Sequence, residues 1–374
     1  MDPDAFHPDA LQPEDFDPAG AGPTHQPGSR TSESPQPTDP DGPRRGHFRL
    51  ADLERVAHGV YQPRGDEETV DEKAEFERTL RAWRLVLPPD AVFTHVTAAR
   101  LLGWQLPKLP EHVPVFAAVA GDGRRPRRPG IICSRLQRRP PITKETIRYA
   151  VLPGDDWFSP TPDDLPVDWP EEILLRAARD LGVVDLVILM DSARRLGHVS
   201  GIRMRALLET GRPGVGLLRE AWELSDARAE SGPESLLRIF HHVIDVAVTP
   251  QAPLEDAHGN VFGRADLLVS GTPFVHEYDG AHHRQREQQA HDLRRERRLA
   301  ERYVRRAWTL DELLNHPLTV SHEIDRALGR PHRPNAVARW HRLVENSQYG
   351  ERGRGRTMNR WRRFMPLNDW AETA

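Results

Sequence analysis

The sequence predicts a mixed α/β protein of the α+β kind, and three patterns predict it. Residues 231–314 read in the order helix, hairpin, helix, short strand, helix, which makes one compact mixed unit. Residues 113–119 and 130–134 read as two strands with helical segments nearby. Joining these parts, residues 170–208 carry Ile173, Leu174, Ala177, Leu181, Val184, Val187 and Ile188 at helical spacing, a stripe broken at Gly197-His198-Val199-Ser200.

Taken in order, residues 1–46 are rich in Pro, Gly, Asp, Ser and Thr and nearly lack core-forming side chains, so they are expected to be a disordered, solvated tail. Residues 49–57 read as a short helix and 58–63 as a strand. The stretch His58-Gly59-Val60-Tyr61 resembles the end of the winged-helix module that opens AbiEi-type antitoxins and transcriptional regulators, whose wing typically reads R-G-V-Y. That resemblance implies a winged-helix remnant at 47–66, with its recognition helix falling in the Pro-rich tail. Residues 72–87 place Phe76, Leu80, Trp83 and Leu87 three or four apart, as in an amphipathic helix, and residues 93–104 read as a capped helix stopped at Gly103. The strings FTHVTAARLLGW, VPVFAAV and GIICSRL, with a basic turn between the last two, resemble the middle domain of AbiEi-type proteins. This implies an α+β domain over 67–160. His95 reads as a packed or capping residue. Arg124, Arg125, Arg127 and Arg128 read equally as phosphate contacts or as a solvated hairpin tip. Residues 161–228 are assigned as a helical connector, with Asp185 and Asp191 in helix-surface or capping roles. No His-Asp arrangement can be placed beside Cys133, so nothing makes its thiol a nucleophile.

The chemistry concentrates in residues 229–318. Residues 264–269 and 274–279 are apolar-rich runs around Ser270-Gly271-Thr272-Pro273, a four-residue hairpin loop. If Val269 faces Phe274, then Asp266 faces Glu277, and Asp279 shares that face and stands opposite Arg264. Carboxylates directly across a ladder repel unless a cation compensates, and a hard divalent ion with oxygen ligands is the usual compensation. A solvated acidic hairpin is the plainer reading of the same string. Upstream, Ser231 reads as an N-cap, Pro233 sits in the first turn, and Glu234 is either only the capping-box acid or, with Arg238, turned toward the hairpin. Downstream, Asp279-Gly280-Ala281-His282-His283 leads into a helix in which Arg294, Arg295, Arg297, Arg298, Arg302, Arg305 and Arg306 outnumber Asp292, Glu296 and Glu301. An excess of Arg beside carboxylates suits an anionic polymer. A histidine beside a metal binds it, shuttles a proton or does neither.

The run from Ser231 to Leu314, with PESLLR, the GRADLL strand, HEYDGAHH and the basic helix, resembles a Vsr-like (very short patch repair) endonuclease-type domain of the PD-(D/E)XK nuclease superfamily. The resemblance implies a mixed-sheet, restriction-endonuclease-like domain. It implies Asp266 and Glu277 as ligands of Mg2+ or Mn2+, Glu234 as an accessory helix acid, and Asp279 with His282 or His283 at the E-x-D-G-x-x-H positions. Arg238, Arg264, Arg284, Arg294, Arg295 and Arg298 are then the expected contacts to DNA. Asp279 stands where the superfamily often has Lys, although within the narrower family an Asp there is usual.

Composition sets the frame. The 374 residues allow two or three domains, and the net charge of -4 hides basic regions behind an acidic tail. A single cysteine excludes an internal disulfide framework and fits a cytoplasmic location. No apolar run spans a bilayer, and no signal pattern is read. Residues 319–374 carry Trp340, Trp361 and Trp370 among many arginines and read as a tail in which aromatics stack bases and arginines meet phosphates, or, around residues 350–356, as a flexible cationic string. Two functions follow: a metal-dependent DNA endonuclease, or a non-catalytic AbiEi-type DNA-binding regulator with a toxin as a possible partner.

Overall fold

Turn chemistry decides the first element against the sequence expectation. Gly59 has φ 72°, the left-handed conformation a tight hairpin turn needs, and it folds β2 (Leu53–Ala57) antiparallel onto β3 (Val60–Pro63). Residues 53–57 are therefore a strand, whereas the spacing predicts a helix over 49–57. Residues 44 and 45, which composition places in the disordered tail, form β1 (Arg44–Arg45), which pairs with the other side of β3. The computed structural model describes residues 42–46, 53–63, 71–120, 125–136, 162, 164–280, 299–333 and 335–365.

Helix α1 (Glu72–Arg84) starts at Asp71, whose carboxylate accepts the Lys73 N–H at 3.0 Å, and it buries Leu80, Ala82 and Trp83. A second sheet follows in the order β4 (Val92–Phe93), β5 (Val115–Val119), β6 (Ile131–Arg135). β5 and β6 run parallel, with Val115 opposite Ile131 and Val119 opposite Arg135. Arg125, Arg127 and Arg128 therefore precede a strand parallel to β5 and do not sit at a hairpin tip, and Arg124 lies outside the described residues. Helix α2 (His95–Leu101) packs on this sheet and ends before Gly103 at φ 70°. His95 is buried: it stacks on Phe116 at 4.0 Å and lies 3.2 Å from Asp180. Burial, partly offset by Asp180, lowers its pKa.

The apolar stripe of the connector forms α3 (Pro170–Ala177), α4 (Val183–Arg195) and α5 (Gly201–Leu208), followed by α6 (Val215–Leu224). Of the helix-surface and capping roles expected for Asp185 and Asp191, burial of both excludes the first. Asp185 caps: it accepts the Gly182 N–H at 2.9 Å and the Gln348 N–H at 3.0 Å, while burial pushes its pKa up to about 7. Asp191 accepts from Asp226 N–H, Ser235 Oγ and Arg238 at 2.7, 2.6 and 2.6 Å.

The third sheet reads β10-β9-β8-β7, built from β7 (Val248–Glu255), β8 (Val261–Val269), β9 (Phe274–Tyr278) and β10 (Val304–Trp308). The first three strands are antiparallel neighbours and β10 joins β9 in parallel. Helix α7 (Gly232–Val243) lies against one face through the hydrogen-bonded pair His241 and His276.

Beyond the sheet, α8 (Leu310–Asn315) is the helix expected after the short strand, and α9 (Pro317–Ala327), α10 (Ala338–Glu345) and α11 (Glu351–Trp361) replace the expected basic tail. Trp340 and Trp361 are fully buried, and their ring N–H groups donate to Leu313 O at 2.7 Å and Asp180 Oδ2 at 3.0 Å. They are core anchors and not base-stacking platforms. The Gly-Arg run is helical from Glu351 on, and Gly350 and Gly353 serve close approach: a Cβ on Gly353 would lie against the Ser347 carbonyl oxygen. Residues 41–374 form one compact unit. Trp370 lies outside the described residues.

Candidate functional site

The hairpin register is the one the turn predicts. Leu267 faces His276 and Leu268 faces Val275, and the same register carried one step further sets Asp266 against Glu277. Asp266 Oδ2 accepts the backbone N–H of Tyr278 at 2.9 Å, which holds its carboxylate over β9 beside Glu277. Glu277 is buried, 5 % exposed, and its Oε2 accepts from Arg305 Nε at 2.5 Å. Arg305 reaches it from β10, where it sits opposite Val275; strand alternation puts Arg305, Val275 and Glu277 on one face. The charge pattern of the sequence assigns Arg305 and Arg306 to the basic helix. Residues 303–309 also alternate as the expected short strand, and it is there that both lie, because the parallel pairing with β9 begins at Val304.

The reverse face ties this strand to α7. His241 Nδ1 lies 2.7 Å from the Leu237 carbonyl, which can only accept, so Nδ1 carries the proton and Nε2 must accept from His276 Nδ1 at 2.7 Å. Burial lowers the His241 pKa to about 4; burial, then His241 and Arg306, lowers that of His276 to about 2. Both rings are neutral, and Trp308 meets His276 edge-on at 4.7 Å. Residue 277 is thus clamped from beneath by its neighbour.

Glu234 takes the capping role, and its one further side-chain contact among the described residues is to β7, not to the hairpin. Its Oε1 accepts from Ser231 Oγ at 2.8 Å and its Oε2 from Glu230 N–H at 2.9 Å, the capping arrangement. Oε2 also accepts from Gln251 Nε2 at 2.9 Å. Gln251 occupies the β7 position between the pairs Pro250–Leu267 and Ala252–Ala265, across from Asp266, and has φ 49°. A non-glycine residue in that conformation inside a strand costs about 1–3 kcal/mol and clusters at functional sites. Nothing in the sequence marks Gln251, because strain of this kind is visible only in the backbone.

The remaining expected residues separate. Asp279 lies one residue past β9, exposed, and its backbone N–H donates to Trp308 O at 3.0 Å. Arg264, expected opposite Asp279, pairs with Glu230 at 2.8 Å. Arg238, expected toward DNA, is buried and bound to Asp191 and the Leu224 carbonyl, so it faces the connector and not a ligand. His282, His283, Arg284, Arg294, Arg295 and Arg298 lie outside the described residues.

A divalent ion is tested by charge and donor type. Glu277 already holds a guanidinium, so this face accommodates positive charge, and the two carboxylates that the register sets across from each other, completed by water and phosphate oxygens, suit Mg2+ as oxygen donors. Among the described residues no group of three or more His, Cys, Asp and Glu is placed to hold a metal. The pair therefore fits a substrate-completed ion and does not form an all-protein cage. Comparison with known proteins finds no matching family, curated protein or solved structure. Among the described residues no helix is long and apolar enough to cross a membrane.

Proposed function

We propose that the protein is a metal-dependent DNA endonuclease of the Vsr-like PD-(D/E)XK type, hydrolysing phosphodiesters at Asp266 and Glu277 with Mg2+ or Mn2+. The observation that carries the reading is the register that brings Asp266 and Glu277 together on one sheet face. The order helix, three antiparallel strands and a parallel fourth strand also supports it, being a mixed sheet such as the sequence resemblance implies. When bound, the ion would supply a Lewis acid for a phosphoryl oxygen and a water of lowered pKa. Asp266 and Glu277 would hold it; the Tyr278 N–H orients Asp266, and the His241–His276 pair holds the strand that carries Glu277. Glu234, bridged through Gln251, is held beside the strand position facing Asp266, where it can take up a proton. Arg305 supplies the positive charge that the superfamily's Lys would bring and that Asp279 does not.

That same ion pair favours the second reading, a non-catalytic DNA-binding regulator of the AbiEi type, because a guanidinium already neutralises Glu277. One experiment separates the two: plasmid nicking with Mg2+ or Mn2+, read alongside divalent-ion calorimetry. The nuclease reading expects nicking and ion binding in the wild type, and loss of both in Asp266→Ala and Glu277→Gln with unchanged circular dichroism. Intact plasmid and no ion binding by the folded wild type would sink it in favour of the regulator.

A further inference from the structure

A separate, cationic site lies beside the β4-β5-β6 sheet. The residues from 125 to 134 and the C-terminal end of α11 enclose a cleft of about 650 Å³, lined by Arg125, Arg127, Arg128, Arg179, Arg360 and Arg363, with no carboxylate in its lining among the described residues. Two of these cations are committed to the fold. Arg360 pairs with Asp180 at 2.5 Å, and Arg128 donates to the His58 carbonyl at 3.1 Å. Arg125, Arg127, Arg179 and Arg363 are exposed and have no ion-pair partner among the described residues. Guanidiniums converging without counter-charge repel one another, and an anion in the cleft removes that repulsion.

The walls are fixed and the floor is chemically quiet. The Gly130 N–H donates to Phe364 O at 2.5 Å, tying the start of β6 to the turn after α11. On the floor, burial pushes the Cys133 thiol up to about 11, against the pull of Arg125, and Ser134 Oγ receives Arg176 at 3.0 Å. Neither is available as a nucleophile at neutral pH, so the cleft is built for binding. At its rim Phe364 is 40 % exposed between cationic neighbours. Exposed aromatic rings among arginines are the arrangement that holds single strands, with rings on bases and cations on phosphates.

We propose that this cleft binds a single-stranded nucleic-acid segment, its phosphates on Arg125, Arg127 and Arg363 and a base against Phe364. From the proposed function it takes only that the partner is a nucleic acid, and no lining residue comes from the sheet that carries Asp266 and Glu277.

The test is fluorescence anisotropy of the full chain in EDTA, where cleavage cannot contribute, with a labelled single-stranded oligonucleotide, its duplex, and sodium triphosphate as competitor. Arg125→Gln/Arg127→Gln/Arg363→Gln should weaken single-strand binding at least about tenfold. It should also flatten the salt slope by about 2 between about 50 and 200 mM salt, because each phosphate that a cation neutralises on a single strand adds about 0.7 to that slope. Phe364→Ala should weaken binding by about fivefold or more while leaving the slope unchanged. All four side chains are exposed, so melting curves should match the wild type. Wild-type affinity in both variants overturns the proposal; so does a triple variant that loses triphosphate binding alone, or weakening confined to the duplex. Loss of strand binding in these variants stands whether or not the wild type nicks plasmid, so this inference and the nuclease reading fail separately.

Discussion

Removing the Arg238 side chain should unfold part of the molecule and not simply loosen DNA. Its guanidinium is bonded to Asp191 at 2.6 Å and to the Leu224 carbonyl, and both partners of the ion pair are buried. Burial already pushes the Asp191 pKa upward, and Arg238 is the largest of the groups holding it down. Arg238→Ala leaves that carboxylate with Ser235 and the Asp226 N–H alone and orphans the Leu224 oxygen. Removing one partner of a buried pair costs about 3–5 kcal/mol, a large share of a stability of about 5–15 kcal/mol. Urea melts followed by fluorescence measure the loss. It should shrink below neutral pH, because an unpaired Asp191 takes a proton more readily than a paired one, and Asp191→Asn/Arg238→Ala should lose less than the sum of its parts. An Arg238→Ala protein with wild-type urea midpoint and markedly reduced DNA affinity would refute the reasoning and return Arg238 to the nucleic-acid surface.

Two further outcomes follow from burial. His198 accepts the Trp104 indole N–H at Nδ1, 2.8 Å away, and burial lowers its pKa to about 4. The unfolded chain therefore binds a proton near its ordinary pKa of about 6.5 that the folded chain refuses, so stability is fully present above about pH 6.5 and falls as pH drops toward 4. At about 1.4 kcal/mol per unit this amounts to about 3 kcal/mol by pH 4, and His198→Gln should flatten that limb of a Tm-against-pH curve. Asp185, raised to about 7, runs the other way: its contribution is present below its unfolded value of 3.8 and is lost as pH rises through 7, so Asp185→Asn should flatten the limb between about pH 4 and 7. Gly353→Ala places a methyl group against the Ser347 carbonyl, and a drop in Tm of several degrees, from a cost of about 1–3 kcal/mol, is the expected reading.

The legible parts of the fold were those set by local rules. Ser270-Gly271-Thr272-Pro273 fixes a loop length, the loop fixes the register, and the register puts Asp266 across from Glu277. The Ser231, Pro233 and Glu234 signature fixes the start of α7 in the same way. What was hidden depends on partners distant in sequence. Arg305 looks like one more cation in a basic run until parallel pairing sets it on the face of Glu277, 28 positions earlier. Trp340 and Trp361 sit in arginine-rich strings, and only the packed helices show that their rings point inward while the arginines remain outside. Residues 53–57 offer a helical pattern that the Gly59 turn overrides.

The bond from Trp361 to Asp180 joins positions 181 apart in the chain, and Gln348 reaches Asp185 across 163. Pairings this distant in sequence make a slow-folding topology, since the chain entropy of closing so large a loop is lost before the pairing returns anything. During synthesis the N-terminal end of α4 would wait, apolar and uncovered, until α11 emerged. A ribosome-bound chain halted before residue 340 should therefore lean on chaperones in a way the finished chain does not.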